Sequence, residues 1–129
     1  MKNSLVILLM LVSVIAKSQE KNWHRVVGGD GNQLIVACKS AMAKIDSSEW
    51  EGTKQQAYDA GYCMGLIVGV AENMNSEDSV DLMSDSPSLA QLVRVTEKYL
   101  QDHPEQLSKT GSWLIRQAIL KSFPVRKAP

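Results

Sequence analysis

Ala60-Gly61-Tyr62-Cys63-Met64-Gly65-Leu66-Ile67-Val68-Gly69-Val70-Ala71 is the stretch on which the fold turns. Ala57, Ala60, Met64, Ile67, Val68 and Ala71 recur at helical spacing, which predicts a long helix over about 53–74 with that set as its apolar face. Three glycines, Gly61, Gly65 and Gly69, repeat every four residues along it. Each costs about 1 kcal/mol relative to Ala in a helix interior, so their repetition needs a compensating contact. At i, i+4 and i+8 they make a smooth groove that another helix can approach closely, as small residues do where membrane helices cross. Close packing within the chain and a seam between two copies both satisfy the pattern.

Three more helices are predicted around this one. Upstream, Asn32 suits an N-cap, and Leu34, Cys38, Met42 and Ile45 follow at helical spacing. Residues 46–52 break the pattern and carry Trp50. A loop tryptophan is either an anchor for a partner, a role in which Trp is enriched, or a lid folded over the core. Downstream, Ser88 with Gln91 three residues on predicts a capping box. Leu89, Leu92, Val93, Thr96, Tyr99 and Leu100 form the stripe behind it. Asp102-His103-Pro104 ends that helix, because the residue before proline is pushed out of the helical region, and His103 suits a helix C-terminus. The fourth helix is predicted to open at Pro104 or Ser108. Leu107, Gly111, Leu114, Ile115, Ala118, Ile119 and Ser122 line its inner side, and Phe123-Pro124 closes it. With no alternating strand pattern and no internal repeat, the reading is an all-α single compact domain of four main helices.

Between the second and third helices runs an acidic stretch, Asn75 to Pro87, with Glu77, Asp78, Asp81 and Asp85 among serines. It lacks the residue order of a calcium loop, which leaves a solvated loop or a partner-facing one.

The chain begins Met1-Lys2-Asn3-Ser4, continues apolar from Leu5 to Ile15, and then reads Ala16-Lys17-Ser18. That is the layout of a secretory signal peptide, cleaved after Ala16 or Ser18. The run falls short of the roughly 20 apolar residues of a bilayer-spanning helix, so no stable membrane anchor is expected after cleavage. The expected organisation is a signal peptide over 1–18, a flexible arm over 19–30, the helical domain over 31–125 and a tail over 126–129. Removing 18 of 129 residues leaves 111, and losing Lys2 and Lys17 leaves 12 basic residues of 14 against 14 acidic ones. A near-neutral chain offers no basic face for nucleic acid.

Cys38 and Cys63 are the only cysteines. An even count in an exported chain reads as a disulfide, which would close a 25-residue loop and contribute about 3 kcal/mol by chain entropy. Two packed free thiols, or a metal set completed by His24 and His103, are the alternatives, although no Cys-x-x-Cys or His-x-x-x-His spacing is present. Catalysis would need a nucleophile with a base, a metal set, or paired carboxylates in a cleft. The histidines are isolated and Gly28-Gly29-Asp30-Gly31 is no phosphate loop. The sequence therefore points away from an enzyme, and no cofactor or metal is expected.

Several elements occur together in order: Asp30-Gly31-Asn32-Gln33-Leu34 with Cys38, then Gly61-x-Cys63-x-Gly65-x-Ile67-x-Gly69-Val70, then Gln91-Leu92-Val93-x-Val95-x-x-x-Tyr99-Leu100 and His103-Pro104-Glu105. Leu114-Ile115-x-x-Ala118-Ile119 and Phe123-Pro124 complete the set. From about residue 30 to 124 the chain resembles the Tai/Rap family of small exported immunity proteins. The resemblance implies a periplasmic helical inhibitor that binds a peptidoglycan amidase effector of a type VI secretion system, occludes its catalytic cleft and works as a homodimer. Two cysteines usual in that pattern are missing. One position is Val125, and the acidic stretch offers only Leu82, Met83 and Ser84 near the other. Their joint absence is what losing one disulfide looks like, and it implies Cys38–Cys63 as the surviving bridge. A tyrosine usual in the pattern is Leu66 here. If the resemblance holds, the acidic stretch is the expected plug, with Glu77, Asp78, Asp81, Asp85 and Trp50 as partner contacts. The glycines Gly61, Gly65 and Gly69 are then the helix-packing or dimer seam. The rival class is a small periplasmic stress or chaperone-like binding protein.

Overall fold

The computed structural model describes residues 29–76, 82 and 87–124. The expected signal peptide, most of the expected arm, the acidic residues Glu77, Asp78, Asp81 and Asp85, and the expected tail lie outside the described residues. What is described is all helical apart from short connections, with no strand among those residues.

Helix α1 spans Gly31–Asp46. Its cap is Asp30, whose Oδ1 accepts from the Gln33 amide at 3.1 Å, and not Asn32 as the sequence suggested. Asn32 sits in the first turn and donates from Nδ2 to the Leu107 carbonyl at 3.3 Å. The earlier start follows from Gly31, which presses against Leu107. A Cβ there would lie 2.8 Å from the Leu107 Cα, closer than real contacts allow, so a glycine opens the helix.

Helix α2 spans Lys54–Ser76. Thr53 and Gln56 form a reciprocal capping box: Thr53 Oγ1 accepts from the Gln56 amide at 3.2 Å and Gln56 Oε1 from the Thr53 amide at 2.8 Å. Its buried stripe is Ala60, Cys63, Ile67, Ala71 and Met74. The expected stripe was offset from this. Ala57 is exposed, Met64 is half-buried and Val68 is 37% exposed. The cause is the disulfide Cys38–Cys63, with Cα atoms 5.1 Å apart and both residues fully buried. The bond turns the Cys63 side toward α1, and the i+4 and i+3 steps from Cys63 then select Ile67, Ala71 and Met74.

Helix α3 spans Leu89–Asp102 and opens with the expected capping box. Ser88 Oγ accepts from the Gln91 amide at 3.2 Å, and Gln91 Oε1 accepts from the Ser88 amide at 2.7 Å. It buries Leu92, Val93, Thr96 and Leu100, whereas Leu89 is left exposed. His103 is its C-cap. A single 3-10 turn, Pro104–Gln106, follows. The last helix, α4, spans Gly111–Ser122, starting later than either proline or serine start read from sequence. Pro104 opens the short turn instead. The segment after it then pairs with the beginning of α1, where the Gly31 amide donates to the Lys109 carbonyl at 3.0 Å and the Gly111 amide to the Gly29 carbonyl at 2.8 Å. That bridge between Asp30 and Thr110 fixes where α4 can begin.

Leu34, Ile67, Met74, Leu100, Leu114, Ile115 and Ile119 are the large fully buried side chains where the four helices meet. Leu82, from within the acidic stretch, is buried with them. Ser122, expected inside, is exposed. Among the described residues, no helix is long and apolar enough to cross a membrane.

Candidate partner-binding face

The side of α2 turned away from the core carries Tyr58, Gly61, Gly65 and Gly69, all exposed. A Cβ built at any of the three glycines meets no described neighbour within 4 Å. No described helix fills the groove, so packing among the described residues does not account for the stripe. What remains is a helix surface that no described side chain covers on three successive turns.

The groove has walls. Gly65, Leu66, Gly69, Val70 and Asn73 of α2 face Ser112, Trp113 and Arg116 of α4 across a hollow of about 460 Å³. Trp113 is 40% exposed. It lies off the apolar stripe of α4, next to the buried Leu114 and Ile115. Further toward the N-terminus of α2, a larger hollow of about 590 Å³ runs between α1 and α2. Val36, Tyr58, Asp59 and Tyr62 line it, and Tyr58 is the most exposed large hydrophobic side chain of the described residues at 71%. A third hollow of about 290 Å³ is lined by Val68, Ala71, Leu82, Pro87, Leu89 and Leu92. The exposed Val68 and Leu89 thus flank the buried Leu82, and the acidic stretch is anchored on an apolar seat at that point.

Trp50 is half-buried in the loop between α1 and α2. It packs on Gly52, where any Cβ would run into the indole, and the Lys44 ammonium lies 5.3 Å from its ring centroid. These contacts fold it back on its own loop. Sequence reasoning passed over Tyr58, Asp59 and Tyr62, although the four-residue step from Tyr58 to Tyr62 marks one helix side. Leu82 was visible only as a residue inside a polar stretch.

His103 has a structural setting. Its ring packs on Tyr99 with centroids 4.4 Å apart. Nε2 lies 3.2 Å from Lys121 Nζ and Nδ1 3.2 Å from Glu105 Oε1. The ammonium can only donate, so Nε2 accepts, and the ring proton on Nδ1 is donated to Glu105. Tyr99 donates its hydroxyl to Gln106 Oε1 at 2.8 Å. Burial, with the Glu105 charge nearby, pushes the Tyr99 phenol up. Glu105 is held below the usual carboxylate range by its own backbone amide first and by His103 second. Asp102 is lowered chiefly by its hydrogen bond from Lys98. The cluster closes the end of α3 onto α4. Among the described residues no group of three or more His, Cys, Asp or Glu side chains is placed to hold a metal ion.

A stapled helical scaffold with a bare helix face and flanking hollows has the form of a binding protein. No curated protein matches the chain. The family model for Rap1a immunity proteins matches residues 30–125, the whole helical domain from the cap of α1 to beyond the end of α4. The chain therefore belongs to the Rap1a immunity protein family.

Proposed function

We propose that the chain is exported to the periplasm and there binds and inhibits a peptidoglycan amidase effector of a type VI secretion system by covering its active site. The family match over residues 30–125 carries the reading. Immunity of this kind needs shape and charge complementarity and no reactive group, and the disulfide-pinned helices present the kind of rigid surface that binds with little ordering cost. The acidic residues Glu77, Asp78, Asp81 and Asp85 are the proposed plug, and Leu82, seated in the core between them, would hold that plug in place. Negative charge there would also speed encounter with a basic partner. The glycine face of α2 is the proposed seam of a homodimer.

The test uses the mature protein and any peptidoglycan amidase found encoded beside its gene. Titration calorimetry and a cell-wall hydrolysis assay should give one tight complex and loss of activity at stoichiometric inhibitor. Replacing Asp78, Asp81 and Asp85 together by Ala should weaken binding mainly through a slower association rate that depends less on salt. Unchanged affinity and unchanged salt dependence would remove the acidic stretch from the interface. Failure to bind any amidase, with capture of many unfolded clients instead, would favour the chaperone-like class.

A further inference from the structure

The hollow between α1 and α2 is chemically distinct from the glycine groove. Among the described residues, Asp59 is the only one lining it that is charged at neutral pH. Its Oδ1 accepts from Gln55 Nε2 at 2.8 Å, which fixes the carboxylate and leaves Oδ2 without a hydrogen bond among the described residues. Tyr58 stands immediately before it on α2 and Tyr62 three residues after it, and Val36 and Ala37 of α1 supply an apolar wall. Val36 is 60% exposed there. A volume of about 590 Å³ accommodates a long side chain with its flanking backbone. A carboxylate on a partly buried wall, aromatic rings beside it and an aliphatic surface opposite are three complements to one kind of group. An Arg or Lys lays its methylene stem on apolar surface, its charge favours an aromatic face, and its N–H groups favour an ionised carboxylate.

We propose that this hollow is a pocket for a basic side chain, Arg or Lys, presented by the partner polypeptide. The identity of that polypeptide rests on the reading given under Proposed function, but the chemistry of the pocket does not. Tyr62 lies about one helical turn before Gly65 and Leu66 on α2, which puts the pocket next to the glycine groove along the helix. A partner docking along α2 would place a basic anchor at its N-terminal end.

The probe is a capped pentapeptide, Gly-Gly-Arg-Gly-Gly, against the same peptide with Gln in place of Arg. It is titrated into isotopically labelled mature protein and followed by amide chemical shifts. The Arg peptide should move the amides of Val36, Tyr58, Asp59 and Tyr62, and the Gln peptide should not. Asp59→Asn should abolish the shifts, as should raising the ionic strength to about 0.5 M. The same substitution should weaken binding of the cognate effector about tenfold, the scale of a lost charge pair at an interface. Shifts that persist in Asp59→Asn, or that an N-acetylglucosamine oligomer produces instead, overturn the proposal. So does a shift of these amides by Arg25→Gln without peptide, which would make the occupant the chain's own basic residue. An effector bound equally by wild type and Asp59→Asn refutes the pocket and leaves the inhibitor reading intact. A peptide recognised in the hollow by a protein that binds no amidase does the reverse.

Discussion

Replacing Gly61, Gly65 and Gly69 by alanine should make the isolated chain more stable and a worse binder. Each glycine in a helix interior costs about 1 kcal/mol relative to alanine, and at none of the three does an added Cβ meet a described neighbour. Nothing in the described fold offsets that cost, so the triple substitution should gain about 2–3 kcal/mol. For a domain of this size a gain of 1 kcal/mol raises Tm by about 4–8 °C, so the triple variant should melt about 10–20 °C higher. The methyl groups would stand where a second helix needs to approach, and association should weaken by at least about tenfold, or 1.4 kcal/mol. The melt must be run on mature protein dilute enough to be monomeric, because self-association itself stabilises by mass action. Sedimentation and effector titration are then run on the same samples. A triple variant less stable than wild type under dilute conditions would show that the glycines serve a contact within the chain. A more stable variant with unchanged oligomeric state and unchanged effector affinity would show that the face is not a seam.

Thr96 is fully buried on α3 and its hydroxyl has no hydrogen-bond partner among the described residues. Thr96→Val removes an unsatisfied polar group at constant shape and nearly constant helix propensity, so urea denaturation should show a gain of about 1 kcal/mol, and a loss would reveal a hidden partner for the hydroxyl. Replacing Cys38 and Cys63 by alanine should cost about 3 kcal/mol, and because both cysteines are fully buried, reductant should break the bond in wild type only at the rate of unfolding. The pH profile should fall at both ends. The lowered carboxyls of Asp102 and Glu105 contribute stability above their unfolded values that is lost as pH falls through the folded ones, and the raised phenol of Tyr99 contributes stability below pH 10.0 that is lost as pH rises through its folded value. Thermal melts of Tyr99→Phe should lose the alkaline fall and keep the acid one.

How much of this was legible in the sequence depends on what kind of pattern carried it. The helices showed through because capping chemistry is local. Ser88 with Gln91 read as a capping box and formed one, and His103-Pro104 ended α3 as the proline rule requires. Starts set by distant contacts did not show. Asp30 displaced Asn32 as the cap of α1, and Thr110 displaced Pro104 and Ser108 before α4, because residues 29–31 and 109–111 are held by each other. No local window contains that bridge. The stripe on α2 was misread for a related reason. Hydropathy treated Ala57 and Val68 as equal to Cys63, and only the partner of Cys63 decides which side of the helix turns inward.

The glycines are the case where the pattern was visible and its meaning was not. Spacing shows that three glycines share a side of α2, yet spacing cannot say whether that side faces a helix of the same chain. Once the disulfide orients α2, the answer follows for the described residues, since Gly61, Gly65 and Gly69 lie opposite Ile67, Ala71 and Met74 and face outward from the described helices. A costly feature that the described fold does not use is then best explained by something outside it. The same orientation leaves Tyr58 and Tyr62 beside Asp59 at the edge of that face, so the bond that staples the core also determines which of these residues face outward.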